Sequence, residues 1–197
     1  MTAKIMLVTG GAKSGKSVFA EQQLANDQRI CYIATGVMTA PDQEMQLRIK
    51  HHQARRPATW TTEERYENLA QFVVDHRFDG YLLDDATMVV TNLFYEMMRT
   101  LAVNDAGSID EAVEKLDKNA IDQVQNEIFS EWQALLTAVK ETDQRMVIVT
   151  NETGLGIVPA NKQTRILRDI YGQVNQLIAK AANKVYLVVS GIPVKIK

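Results

Sequence analysis

Short apolar runs alternate along this chain with longer stretches in which apolar residues recur every three or four positions. The short runs are "KIMLVT" (4–9), "ICYIA" (30–34), "GYLLDD" (80–85), "RMVIVT" (145–150) and "KVYLVV" (184–189). They are almost continuous in apolar residues, the pattern of strands covered on both faces. The periodic stretches fall at 15–26, 41–54, 66–76, 86–102, 110–142 and 161–181 and predict helices. Their alternation predicts an α/β fold with a mostly parallel central sheet and helices on both faces. The polar stretch 104–122 reads as a loop or insertion. Within it, "SIDE" (108–111) places Ser108 three residues before Glu111, a capping box that opens the long helix. No repeat, low-complexity tract or Pro/Gly-rich linker interrupts the pattern, so residues 1–197 read as one domain.

The first strand–helix junction carries chemistry. "GGAKSGKS" (10–17) fits G-x-x-x-x-G-K-[ST] and lies between strand 4–9 and helix 15–26, where a phosphate cradle has to be. Gly10 and Gly15 allow the loop to curl so that the N–H groups of Gly10, Gly11, Ala12, Lys13, Ser14, Gly15, Lys16 and Ser17 turn inward. The helix that follows adds its positive end. Lys16 is placed to reach the β- and γ-phosphates, and the Ser17 hydroxyl to ligate Mg²⁺. Such a loop needs a carboxylate at the end of another strand to hold the metal shell. "YLLDD" (81–85) supplies Asp84 and Asp85, with Asp84 favoured. These residues predict a P-loop NTPase-like, nucleotide-binding domain and Mg-dependent phosphoryl transfer. The acceptor is not named by them.

Composition removes some alternatives. Formal net charge is −2, which argues against a nonspecific nucleic-acid binder. A single cysteine, Cys31, permits neither an intrachain disulfide nor a cysteine metal cluster, and fits a reduced, cytoplasmic setting. The opening "MTAKIMLVTG" is too short an apolar run for a secretory signal, and no stretch approaches the roughly 20 apolar residues needed to cross a bilayer.

Two of the three histidines stand side by side in "RIKHHQARRP" (48–57), among Arg48, Lys50, Arg55 and Arg56. A neutral imidazole can attack the α-phosphate of a nucleotide and displace pyrophosphate, leaving a phosphoramidate that passes the nucleotide on. Neighbouring cations would neutralise the phosphates. A charged helix surface accounts for the same residues. His76 reads as a helix-end residue, Cys31 as a buried thiol, and Trp60, Tyr66, Met97 and Met98 as packing residues.

Several segments together resemble one family, the bifunctional adenosylcobinamide kinase/adenosylcobinamide-phosphate guanylyltransferases of cobalamin assembly. They are "LVTGGAKSGKSVFAE" (7–21), "YIATG" (32–36), "DQEMQLRIKHHQARRPATWTTEE" (42–64), "LLDDATMVVTNL" (82–93), "VTNETGLGIVP" (149–159) and "RDIYGQVNQLIAKAANKVYLVVSGIPVKIK" (168–197). "NETGLGIVP" and "VVSGIPVKIK" are the most specific, since generic P-loop kinases lack them. The resemblance implies two reactions. ATP or GTP phosphorylates the aminopropanol hydroxyl of adenosylcobinamide; GTP then donates GMP to adenosylcobinamide phosphate through a guanylylated histidine. The family pattern R-I-x-x-H, then R-P, selects His52, with His51 as the alternative. It carries over Lys16, Ser17 and the 10–17 backbone as the phosphate site, Asp84 as the acidic strand-end residue, and Asn151 and Glu152 as an active-site loop. It also implies a homotrimer whose neighbouring chains help to form each nucleotide site. Lys13 stands where arginine is usual and Asp85 where cysteine is common. Two other readings stand beside this one: a P-loop kinase of another small alcohol without a nucleotidyl-histidine step, and a nucleotide-dependent regulatory or binding protein.

Overall fold

The structure is a computed structural model and describes residues 4–25, 29–36, 56–104 and 107–197. Seven strands form one sheet: β1 (Ile5–Gly10), β2 (Ile30–Ala34), β3 (Thr61–Glu64), β4 (Gly80–Asp84), β5 (Met146–Asn151), β6 (Lys184–Val189) and β7 (Ile192–Lys195). Their order is β3-β2-β4-β5-β1-β6-β7, and every pair is parallel except β6 with β7. The helices among the described residues are α1 (Lys16–Gln22), α2 (Leu69–Asp75), α3 (Ala86–Asn104), α4 (Ile109–Lys115), α5 (Lys118–Glu141) and α6 (Lys162–Ala181).

The period of two along each strand divides the core into two layers. Leu7, Ile33, Leu83 and Ile148 face one side, against Phe94 and Met98 of α3, Trp132 of α5 and Ile170 of α6. Val8, Tyr32, Leu82 and Val149 face the other, where Ala20 of α1 and Leu24 cover them. Helices thus lie on both faces of a mostly parallel sheet, as the alternation predicts. Cys31 is buried, and burial, reinforced by Glu63, pushes its thiol up to about 12, which leaves it unreactive. Trp60, Tyr66 and Met97 pack against the core, Met98 lies inside it, and His76 caps the end of α2 with its Nδ1 3.0 Å from the Phe72 carbonyl.

The structure corrects the sequence pattern in three places. The stretch 104–122 is not a loop: α4 and the start of α5 occupy most of its described residues. The helix expected over 110–142 is two helices. The predicted capping box is present, with Glu111 N donating to Ser108 Oγ at 3.2 Å and Ser108 N to Glu111 Oε2 at 3.1 Å, but it opens the short α4. The long α5 has its own cap, Asp117, whose carboxylate accepts from Ala120 N at 2.8 Å. An aspartate that captures a backbone N–H competes with helix continuation, and continuous apolar spacing hides that break. Two strands were also not anticipated. β3 reads "TTEE" and β7 "IPVK"; both are largely exposed edge strands, one polar and one containing proline, so neither shows the apolar run of a central strand. The helix expected over 41–54 lies outside the described residues.

Candidate nucleotide site

The parallel strands β1, β4 and β5 end together at Gly10, Asp84 and Asn151, and the crevice outside such carboxyl ends is where open α/β sheets bind ligands. Residues 10–17 turn there from β1 into α1. Gly15 has φ 95° and Lys13 φ 56°, both left-handed, and Ser14 N donates to Gly11 O at 3.3 Å to close the curl. Gly10 is required for a different reason. A Cβ on it would stand 2.5 Å from the Val188 carbonyl oxygen and 2.6 Å from Ser14 Oγ. Gly11, Ala12 and Lys13 are exposed at the crest of the loop, while Lys16 is buried and its Nζ donates to Gly11 O at 3.1 Å.

The two most specific segments of the sequence brace this loop. Glu152 N, just past the end of β5, donates to Gly10 O at 3.1 Å. Gly191 N, in the turn between β6 and β7, donates to Ser14 O at 2.8 Å. That turn has φ 51° at Ser190 and φ 81° at Gly191. A Cβ on Gly15 would lie 3.2 Å from Gly191 Cα, so the two glycines meet closely.

Asp84 and Asp85, adjacent in sequence, have different partners. Asp84 Oδ1 accepts from Ser17 Oγ at 3.4 Å, a long contact, and Oδ2 from the Tyr32 hydroxyl at 2.9 Å. Asp85 turns away from Ser17. Its Oδ1 accepts from Thr87 N and Thr87 Oγ1, both at 2.8 Å, and its Oδ2 from Asn151 Nδ2. Burial raises the Asp85 carboxyl above the usual range, while the Thr87 hydrogen bonds oppose that. Thr35 accepts from Asp85 N and donates to Asp85 O, and Asn92 Nδ2 donates to Thr35 O. A lattice of neutral polar groups thus fixes Asp85 under α3. Glu152 Oε1 accepts from Gly154 N at 2.8 Å, and the loop beyond leaves Leu155, Ile157 and Val158 exposed.

Every sequence-predicted site residue from Gly10 to Ser17 converges on this crevice with Asp84, Asn151 and Glu152. His51 and His52 lie outside the described residues. Arg56, from the same segment, is described. Its guanidinium carbon sits 3.2 Å above the centre of the Tyr32 ring, and its Nη1 is 3.5 Å from Thr62 Oγ1. Tyr32, Thr35 and Thr87 were missed as site residues, whereas Arg56 was expected only as one of the cations around the histidine pair. Tyr32 is hidden within an apolar strand. The signal for Thr87 was present in "DDAT", a carboxylate two residues before a threonine at a helix start.

Residues 6–196 match the model of the CobU family, described as cobinamide kinase / cobinamide phosphate guanyltransferase. The chain belongs to this family. Among curated members, the bifunctional adenosylcobalamin biosynthesis protein CobU of Escherichia coli (strain K12) is 42% identical over 195 residues, covering 98% of this chain and 99% of that protein. The CobU of Salmonella typhimurium matches with the same identity and coverage. The bifunctional protein CobP of Pseudomonas aeruginosa is 35% identical over 194 residues, covering 97% of this chain and 96% of that one. A solved KaiC-like protein from Pyrococcus horikoshii superposes with a TM-score of 0.45 and 12% identity, over 93% of this chain and 70% of that one. The family members therefore match this chain from end to end, with the glycine loop and both bracing segments inside the matched region.

Gly10→Ala tests the cradle directly. The new methyl group meets a backbone carbonyl that has no rotamer to escape into, and such overpacking costs about 1–3 kcal/mol. Nucleotide affinity is expected to fall at least about tenfold, read by equilibrium titration, with a lowered melting temperature.

Proposed function

We propose that this chain performs both reactions in its family's description at and around the crevice built on Gly10–Ser17. It is an enzyme of adenosylcobalamin biosynthesis, a kinase and a guanylyltransferase in one chain. The observation that carries the reading at residue level is the assembled cradle. Curled N–H groups, the Lys16 ammonium, the Ser17 hydroxyl and Asp84 meet at one strand end.

In the kinase step, the loop N–H groups and the start of α1 hold the triphosphate, and Lys16 leaves the Gly11 carbonyl to meet the β- and γ-phosphates. The donor set suits Mg²⁺. This cation binds through one or two protein oxygens together with phosphates and water, and no cluster of three or more His, Cys, Asp or Glu exists among the described residues to make a dedicated cage. Ser17 and Asp84 would hold it, and Mg²⁺ would supply charge neutralisation at the transferring phosphoryl group. Asp85 has its carboxylate occupied by Thr87 and Asn151, which favours Asp84 for this role. The acceptor is the aminopropanol hydroxyl of adenosylcobinamide, with ATP or GTP as donor. Exposed Leu155, Ile157 and Val158, on the loop that begins beside Gly10, offer apolar surface to a large corrinoid.

In the second step the imidazole of His52, with His51 as the alternative, attacks the α-phosphorus of GTP. The bond from that phosphorus to the bridging oxygen breaks, pyrophosphate leaves, and the guanylyl group passes to the phosphate of adenosylcobinamide phosphate. The reading includes a homotrimer and a cytoplasmic setting. The exposed apolar residues Val189, Ile192, Val194 and Ile196 along β6, β7 and the chain end are consistent with a surface that another chain covers. No helix among the described residues is long and apolar enough to cross a membrane.

The test is covalent labelling. Full-length protein incubated with Mg²⁺ and GTP labelled on its α-phosphorus, then denatured, is expected to retain label that acid removes and base does not, as a phosphoramidate would. GTP labelled on its γ-phosphorus should leave none by this route. A protein that phosphorylates cobinamide yet never takes up the α-label is instead a simple kinase.

A further inference from the structure

We propose that Tyr32 is a positioning residue of the phosphate site: its hydroxyl holds Asp84 in the orientation that presents the carboxylate to Ser17 and to the cation bound with the nucleotide. The inference rests on the reading of Asp84 and Ser17 as the metal shell, and it gives a function to a residue that otherwise looks like core.

The geometry follows from strand periodicity. β2 and β4 are parallel neighbours in which Tyr32 stands beside Leu82 and Ala34 beside Asp84. Residues two apart share a face, so Tyr32, Leu82 and Asp84 lie on the same side of the sheet. Two residues of strand advance about 6.6 Å. A tyrosine lying along its strand spans that distance; its ring fills the core beside Leu82 while its hydroxyl arrives level with Asp84, at 2.9 Å from Oδ2. Phenylalanine would fill the same space and leave that oxygen without its donor.

Three observations distinguish this hydroxyl from a packing tyrosine that happens to find an acceptor. Tyr32 is buried, so water does not compete for the bond. Its hydroxyl stands 2.9 Å from Asp84 Oδ2, a contact in which the phenol is the donor and the carboxylate the acceptor. The Arg56 guanidinium carbon also sits 3.2 Å from the ring centre, so a cation covers one face of the ring and restricts its swing. Asp84 thereby has one oxygen committed to a fixed donor and the other directed at Ser17, whose 3.4 Å separation is long enough for the pair to accommodate a shared ligand. Ligands of a metal site are commonly oriented by such outer hydrogen bonds, and loss of one typically weakens metal binding about 10- to 100-fold.

The test compares nucleotide affinity with and without the cation, in the full-length chain. GDP binding is measured by calorimetry in excess Mg²⁺ and in EDTA, for wild type, Tyr32→Phe and Asp84→Asn. Wild type is expected to gain affinity from Mg²⁺, and Asp84→Asn to lose most of that gain. Tyr32→Phe should narrow the gain at least about fivefold, with the change confined to the Mg²⁺ arm. A general packing defect would instead weaken GDP binding in EDTA as much as in Mg²⁺, and would overturn the proposal. So would a full Mg²⁺ gain in Tyr32→Phe alongside its loss in Asp84→Asn. If Asp84→Asn keeps the full gain, the metal-shell reading itself fails and takes the role of Tyr32 with it.

Discussion

His52→Ala is expected to abolish the acid-labile label from α-labelled GTP and to lower guanylyl transfer by at least about 10³-fold, the scale on which enzymes lose rate when a covalent nucleophile is deleted. Cobinamide phosphorylation should stay within about threefold of wild type, because phosphoryl transfer to an alcohol needs positioning and charge, not an imidazole. The split is the informative part. A fold defect would reduce both activities together, while loss of a nucleotide carrier removes only one. His51→Ala is the matched control and should leave the label in place. If the label vanishes in His51→Ala and persists in His52→Ala, the carrier is the first imidazole of the pair. If both variants label normally, the histidine intermediate is wrong. The two activities are read on the same preparations, by phosphate transfer from γ-labelled donor and by GMP transfer from α-labelled GTP.

How far the sequence revealed this molecule depended on whether local pattern and tertiary role agreed. β1, β2, β4 and β5 were legible because both faces of each are covered, so their apolar runs are unbroken; β6 was legible from its apolar run, although only Val185 and Val188 on it are buried. The P-loop was legible because its glycines answer to local geometry: Gly15 needs its left-handed angle and Gly10 has a carbonyl against it. Edge strands β3 and β7 were not, since an edge has no need of apolar residues on both faces. The division of α4 from α5 was hidden because Leu116, at the break, is itself buried and continues the apolar rhythm. The polar lattice around Asp85 was illegible for another reason. Thr35 follows β2, Asn151 ends β5, and Thr87 and Asn92 share α3; of these only Thr87 is a sequence neighbour of Asp85, and the parallel register brings the other segments together. The same register turns Tyr32 from an apolar-run residue into a partner of Asp84. The family resemblance reached Asn151 and Glu152 as loop residues. The structure adds what they touch: one holds Asp85, and the backbone of the other braces Gly10.

Lys16→Ala is expected to slow the kinase step by at least about 100-fold, measured as cobinamide phosphate formed at saturating nucleotide. Lys16 is buried at the root of the cradle, with Gly11 O at 3.1 Å as its hydrogen-bond partner. A neutral carbonyl is a modest partner for an ammonium group. Phosphate oxygens that gain charge during transfer are better ones, so the interaction strengthens along the reaction and is seen chiefly in kcat. Nucleotide affinity should fall less than kcat, because the loop N–H groups and the α1 terminus remain to bind the ground state. Lys16→Arg should not restore the rate: a planar, bulkier guanidinium does not fit the space of a compact ammonium beneath Gly11. A Lys16→Ala enzyme with a normal kinase rate would show that phosphoryl transfer does not take place in this cradle. Loss of affinity with an unchanged kcat would mean that Lys16 binds the triphosphate without stabilising its transfer.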